Sequence, residues 1–154
     1  MAELIQPDSL ELWQIARELV REYAESLNVS LCFQNFDHEL LHFEDEYGPP
    51  TGAFLLARHN NEIVGCGAFR HFSESDCEMK RLYVRSTGRK FGIGRQLAAA
   101  LVAEAKSLGY KRMLLDTLPT MQSAQSLYKS LGFVPTEPYR FNPIEGSAYL
   151  KLDL

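Results

Sequence analysis

The six residues Arg89-Lys90-Phe91-Gly92-Ile93-Gly94 carry the clearest chemistry in the chain, and that chemistry is anion binding. The β-branched and aromatic run Arg81-Leu82-Tyr83-Val84 leads in, Arg85-Ser86-Thr87-Gly88 turns, and an apolar helix pattern from Gln96 to Leu108 follows. Strand, loop and helix start in that order offer a phosphate unpaired backbone N–H groups and the positive end of a helix dipole. Glycines at 92 and 94 remove the Cβ atoms that would hold a ligand off the backbone. Charge points the same way. From Met79 through Ala103 there is no Asp or Glu, while Lys80, Arg81, Arg85, Arg89, Lys90 and Arg95 all fall there. In a chain of net charge −4 this marks a local anion site and not a nucleic-acid surface.

Two other phosphate motifs fit less well. The P-loop spacing, Gly and four residues before Gly-Lys-Ser/Thr, is absent. Gly92-Ile93-Gly94 with Asp116 after Leu114-Leu115 imitates a dinucleotide fingerprint, but Leu97 stands where the third glycine belongs. Hairpins upstream also do not suit a doubly wound parallel sheet, so Asp116 reads as a strand-end residue.

The elements that must position this loop follow from periodicity. Leu4-Ile5 reads as a short strand, and Asp8 with Glu11 as the capping box of a helix. Leu10, Trp13, Ala16, Val20, Tyr23, Ala24 and Leu27 recur at helical spacing along it. A linker from Asn28 to Asn35 leads to a shorter helix over Phe36 to Phe43, which Pro49-Pro50-Thr51-Gly52 closes off. Phe54 to Arg58 and Ile63 to Phe72 form a hairpin about His59-Asn60-Asn61-Glu62, and a further strand runs from Cys77 to Val84. After the long helix, capped by Gly109, the run Met113-Leu114-Leu115 is a buried central strand. Pro119 opens a last helix through Ala124, Leu127 and Tyr128 to Leu131, capped by Gly132, and Phe133-Val134 and Ala148 to Leu152 are closing strands. The order β-αα-β-β-β-α-β-α-β-β implies an α/β protein, α+β in character, with a mixed sheet and helices on both faces.

Length and composition bound the rest. At 154 residues the chain reads as one domain, 1–154, with 45% hydrophobic and 23% charged residues. No secretory leader or membrane-spanning run is visible, so the expected location is the cytoplasm, with Cys32, Cys66 and Cys77 as reduced thiols. Neither the cysteines nor His38, His42, His59 and His71 have metal-ligand spacing, and no metal is expected.

Two segments together resemble the GNAT N-acetyltransferases, which use acetyl-coenzyme A. Arg89 to Gly94 is similar to that family's Arg/Gln-x-x-Gly-x-Gly/Ala pyrophosphate loop. Ala124-Gln125-Ser126-Leu127-Tyr128-Lys129-Ser130-Leu131-Gly132-Phe133 is similar to its Ala-x-x-Leu-Tyr-x-x-x-Gly-Phe segment. Met121 departs from the pattern, since many members carry Asn there beside the pantetheine arm. The resemblance implies the GNAT fold, acetyl-CoA as co-substrate, and an amine of a small molecule or peptide as acceptor. It implies neither nucleic acid nor membrane as partner, and it leaves room for a homodimer. Backbone groups of Leu82 and Val84 would pair with the pantetheine amides, and N–H groups of Arg89, Lys90, Phe91, Gly92, Ile93, Gly94 and Arg95 would hold the pyrophosphate.

Acetyl transfer needs a neutral amine, a partner for the oxyanion, and a proton for the departing thiolate. By resemblance Glu78, at the start of the strand entering the loop, is the candidate base. Its plainer reading is a solvated strand-end glutamate. A backbone N–H near Leu82 or Tyr83 would meet the oxyanion, and Tyr128 would donate to the sulfur; otherwise Tyr128 is an aromatic packed on Phe133. The acceptor would lie between Val29 to Asn35, with Phe33 and Gln34, and Thr136 to Gly146, with Tyr139, Arg140 and Asn142. Glu44-Asp45-Glu46, read as a helix C-terminus, is either a solvated charge run or a lure for a cationic amine. A non-catalytic acyl-CoA sensor module is the rival reading to an enzyme.

Overall fold

The structure is a computed structural model that describes residues 2–27 and 36–154. Among these the order is β1 (Glu3–Ile5), α1 (Leu10–Ser26), α2 (Phe36–Leu41), α3 (Phe43–Tyr47), β2 (Ala53–His59), β3 (Glu62–His71) and β4 (Asp76–Val84). Then follow a 3₁₀ turn (Ser86–Gly88), α4 (Ile93–Ser107), β5 (Arg112–Thr117), α5 (Gln122–Ser130), β6 (Val134–Pro135) and β7 (Ala148–Asp153). The strands form one mixed sheet in the order β1-β2-β3-β4-β5-β7-β6, in which only β4 and β5 pair in parallel.

Helices cover both faces, as the element order implies. Leu97, Leu101 and Ala105 of α4 and Tyr128 of α5 pack with Met79, Met113 and Leu115 on one side. Leu19 and Val20 of α1 and Phe43 and Tyr47 of α3 pack with Phe54, Leu56 and Ala68 on the other. The hairpin between β2 and β3 turns through Asn60 (φ 53°) and Asn61 (φ 66°), and two left-handed residues in sequence match the twist of the paired strands.

Four local readings change. The N-cap of α1 is Ser9, whose hydroxyl accepts from the Leu12 N–H at 3.2 Å, so no capping box forms from Asp8 and Glu11. The helix expected over Phe36 to Phe43 is two short helices that break at His42. Glu44, Asp45 and Glu46 therefore occupy the first turn of α3, where the dipole favours acids, and not a C-terminus. Glu44 pairs with Arg17 and Glu46 with Arg70, so neither is a free charge. Finally, α5 begins at Gln122 and not at Pro119.

Two irregularities in β4 shape the site. The β3–β4 ladder pairs Cys66 with Tyr83 and Ala68 with Lys80, so Gly67 alone faces both Arg81 and Leu82. That is a β-bulge, and Arg81 adopts a left-handed φ of 62° within it. The second irregularity is a ladder that stops. Strands β4 and β5 pair at Asp76↔Arg112, Cys77↔Met113 and Glu78↔Leu114, and beyond that they part.

A buried ion pair holds the bulge. Arg81 donates from Nε and Nη2 to the two carboxylate oxygens of Glu39 at 2.9 and 2.8 Å, and the two residues are 4% and 1% exposed. Burial alone would raise the Glu39 pKa, but the Arg81 guanidinium outweighs it and holds the carboxyl below its ordinary value. Glu39→Gln should therefore lower unfolding stability by about 3–5 kcal/mol near pH 7, measured from denaturant midpoints. The carboxylate's contribution is complete above its unfolded pKa, about 4.3, and fades as pH falls through the lower folded value. The gap between wild type and variant should accordingly narrow below about pH 4; a gap that stays constant in acid would refute this account of the pair.

Candidate active site

The start of α4 is built to receive an anion. Gly92 is its N-cap, with φ 72° and ψ 17°; no side chain caps the helix and no acid lies in its first turn. Lys90 is also left-handed, with φ 71°, and such alternation turns successive N–H groups toward one another. A Cβ added at Gly94 would meet Leu127 at 3.7 Å and Val84 at 3.8 Å, which is ordinary contact. A groove continues from the loop along β4 to α5, lined by Leu82, Val84, Lys90, Gly94, Ser123 and Leu127. The loop and groove thus fit the pyrophosphate and arm of an acyl-CoA: free helix N–H groups, no acid, and no side chain at 92 or 94.

The basic side chains around the loop are largely occupied. Arg89 donates from Nε to the Val84 carbonyl at 3.1 Å, and Arg95 donates to the Ser130 hydroxyl at 2.5 Å. Arg85 binds Glu22 and the Ile63 carbonyl. Lys90 is exposed, and Phe91 (60% exposed) sets its ring 4.6 Å from that of His59.

Where β4 and β5 part, a cavity opens, lined by Met79, Lys80, Leu82, Asp116, Met121 and Tyr128 among others. Tyr128 is buried from the α4–α5 side, its ring 5.7 Å from that of Phe133. Burial raises its phenol pKa well above the ordinary value, so it stays protonated at neutral pH. Lys80 is also buried, and burial pushes its ammonium down to about 7; Arg81 and Arg70 push the same way, against Glu78 and Glu39. Asp116 accepts from Asn142 Nδ2 at 3.0 Å.

Glu78 is not a solvated strand end. It is the third residue of β4 and 0% exposed. One carboxylate oxygen accepts from Arg70 at 3.3 Å and Arg140 at 2.7 Å, and the other accepts from the Tyr139 hydroxyl at 2.8 Å. Both oxygens thus accept hydrogen bonds from side chains of this protein. The carboxylate fastens the segment 136–147 to β4 through Tyr139 and Arg140. Tyr139 packs edge-on against Phe72 and Tyr149, and burial beside Glu78 raises its phenol pKa.

The structure thus brings Glu78, Tyr139 and Arg140 together, and Tyr128 with Leu82 beside the cavity. Phe33 and Gln34 lie outside the described residues. Sequence reasoning missed Lys80, Asp116, Arg70 and Glu39 as parts of one region. The available signal was alternation: Glu78 and Lys80 two apart on a strand share a face. Among the described residues no cluster of His, Cys, Asp or Glu could hold a metal ion, and no helix is long and apolar enough to cross a membrane.

Comparison with known proteins agrees with this geometry. The model of the acetyltransferase (GNAT) family matches residues 12–133. An uncharacterized N-acetyltransferase of Schizosaccharomyces pombe is 44% identical over 138 residues, covering 88% of this chain and 85% of the relative. A GNAT-family acetyltransferase of Staphylococcus aureus superposes with a TM-score of 0.81 at 19% identity, covering 99% of each chain, which is a likeness of fold. A GNAT-family acetyltransferase of Elizabethkingia anophelis, solved with acetyl-CoA bound, is 29% identical with a TM-score of 0.58, covering 68% of this chain and 77% of that one. With its uncapped glycine loop, parted strands and these relatives, the chain belongs to the GNAT acetyltransferase family.

Proposed function

We propose that the protein is an acetyl-CoA-dependent N-acetyltransferase that moves the acetyl group to a primary amine of a small molecule or peptide by direct attack on the thioester. The observation that carries this reading is the cavity between the parted ends of β4 and β5, continuous in sequence with the glycine loop at the start of α4. The relative solved with acetyl-CoA supports the choice of donor. Acetyl-CoA supplies the activated acetyl thioester; the chain supplies position and protons.

Backbone N–H groups from Lys90 to Arg95 hold the pyrophosphate, that of Arg89 being turned back to the Ser86 carbonyl at 3.3 Å, and the helix dipole favours its charge. The free edge of β4 at Leu82 and Val84 receives the extended amide arm as a further strand would be received. At Val84 the carbonyl already accepts from Arg89, so this end of the edge offers its remaining lone pair. The bulge at Arg81 and Leu82 re-aims the strand where the oxyanion needs a donor, and the backbone N–H of Leu82 serves there, since that of Tyr83 faces β3. Tyr139 and Arg140 wall the acceptor side, and Glu78 acts as the positioning residue that fixes both.

Tyr128 faces the sulfur as proton donor. A thiol near 8.5 and a phenol near 10 make full transfer uphill by about 2 kcal/mol in water. Burial raises the Tyr128 phenol further, and the same burial raises the thiol, so the cost of transfer changes less than either value alone. Hydrogen bonding to the sulfur as charge develops is then the main contribution.

Gly94→Val is the test of the donor site. A Cβ fits there in the protein alone, so the melting temperature should hold while acetyl-CoA binding by calorimetry is lost. Gly92→Val is less clean, because a β-branched residue at φ 72° is strained. Unchanged affinity in a folded Gly94→Val protein would remove the loop from the site. Tyr128→Phe should cut turnover by about 10²–10⁴-fold with near-normal acetyl-CoA binding; wild-type turnover where chemistry limits the rate would remove Tyr128. Tight acetyl-CoA binding without thiol release against polyamines, amino acids, aminoglycosides and peptides would favour the sensor module instead.

A further inference from the structure

We propose that Lys80 is the general base of the transfer: its Nζ takes the proton of the attacking amine from one face of the sheet, while Tyr128 serves the sulfur from the other. The proposal rests on the acetyltransferase reading and assigns the proton step within it to this chain's own residues.

Strand register fixes the geometry. Directly paired residues of adjacent strands project to the same face. Lys80 pairs with Ala68 and Glu78 with Arg70, and Ala68 belongs to the core beneath α1. Lys80 therefore stands on the α1 face. Leu114 pairs with Glu78, which places Leu114 and, two residues on, Asp116 on that face as well. Tyr128 belongs to the core of the opposite face. Where β4 and β5 part no ladder separates the two faces, and Lys80 and Tyr128 both line the cavity there. A carbonyl carbon held in that gap would be approached by an amine from one side and would release sulfur toward the other.

Chemistry narrows the choice. Glu78 shares the face, but its oxygens are engaged by Arg70, Arg140 and Tyr139. An ordinary lysine, near 10.4, is a fixed cation at neutral pH and no base. Lys80 is surrounded by Arg81, Arg70, Glu78 and Glu39, with Asp116, Tyr23 and Tyr128 also lining the cavity. Burial and the two guanidiniums bring its ammonium to about 7, where about half the population carries a lone pair. General bases work best when tuned near the working pH.

The step balances. The acceptor enters as an ammonium ion and gives one proton to the Lys80 Nζ lone pair. Its freed nitrogen pair forms the C–N bond with the acetyl carbon. The C–S bond breaks with its electron pair going to sulfur, which takes the Tyr128 phenolic proton. The nitrogen's second proton returns through water to the Tyr128 oxygen, and Lys80 releases its own to solvent. The products are an N-acetyl amide, a thiol and one proton.

The test has two readouts. In the protein alone, the Lys80 side-chain resonance, assigned by its loss in Lys80→Gln, should titrate near 7. In turnover, kcat/KM should rise with pH through the same value. Lys80→Arg keeps the charge but cannot accept a proton, so it should lose that limb and about 10²–10⁴-fold in kcat. Its calorimetric affinity for acetyl-CoA should stay near that of wild type. Lys80→Gln should lose the limb too, which guards against misfolding of either variant. A resonance titrating near the ordinary 10.4 would overturn the proposal. So would a limb that survives both substitutions, and if it then disappears in Asp116→Asn the base is Asp116. A wild-type protein that binds acetyl-CoA and releases no thiol with any amine would overturn the acetyltransferase reading itself, a failure the resonance titration does not mimic.

Discussion

The bidentate ion pair between Arg81 and Glu39 is the interaction on which the rest of the site depends. Arg81 sits at positive φ in the middle of a strand, a conformation that costs a non-glycine residue about 1–3 kcal/mol. Such strain persists only where surrounding contacts over-determine it. Here those contacts are two charge-assisted hydrogen bonds from a guanidinium to a carboxylate on α2, both partners almost wholly out of water. They clamp the bulge of β4 to the helix layer above. With the bulge fixed, Lys80 and Arg81 are adjacent yet Leu82 returns to the opposite core. Strand β4 can then leave β5 without losing its hold on β3.

A second set of charges, around Glu78, does for the acceptor side what Arg81 does for the strand. Arg70 reaches Glu78, Glu46 and Glu39, linking β3, α3 and α2, while Arg140 and Tyr139 bring in the chain before β7. Buried ion pairs add little net stability compared with apolar packing, but removing one partner leaves the other uncompensated. Their effect here is to hold several elements in one arrangement. Burial, joined by the Arg81 and Arg70 guanidiniums, brings the ammonium of Lys80 among them down to about 7.

Some of this was legible in the sequence and some was not, for physical reasons. The glycine loop, the helix after it and the position of Tyr128 depend on residues close together in the chain, and the pattern of glycines and apolar spacing reports them directly. The order of strands and the two-sided cover followed from periodicity. Ser9 was passed over because Asp8, Ser9 and their neighbours offer competing caps that only backbone geometry separates. The acids 44–46 were assigned to the wrong helix end because a break at His42 leaves no glycine or proline signal. The burial of Glu78 and Lys80 was not legible, since it comes from partners 41 to 62 residues away, Glu39, Tyr139 and Arg140, or from strand register, such as that of Lys80 with Ala68. No local pattern carries that information.

The central claim is that the acetyl donor lies along the free edge of β4 with its pyrophosphate on the start of α4. Amide hydrogen exchange, followed residue by residue with and without acetyl-CoA, tests it most directly. The account predicts that exchange slows at Leu82 and Val84 and at 92–95, while Tyr83, whose N–H faces β3, and the β2–β3 ladder, already paired on both sides, change little. Protection that appears elsewhere while these amides exchange as before, at acetyl-CoA concentrations where calorimetry shows binding, would contradict it.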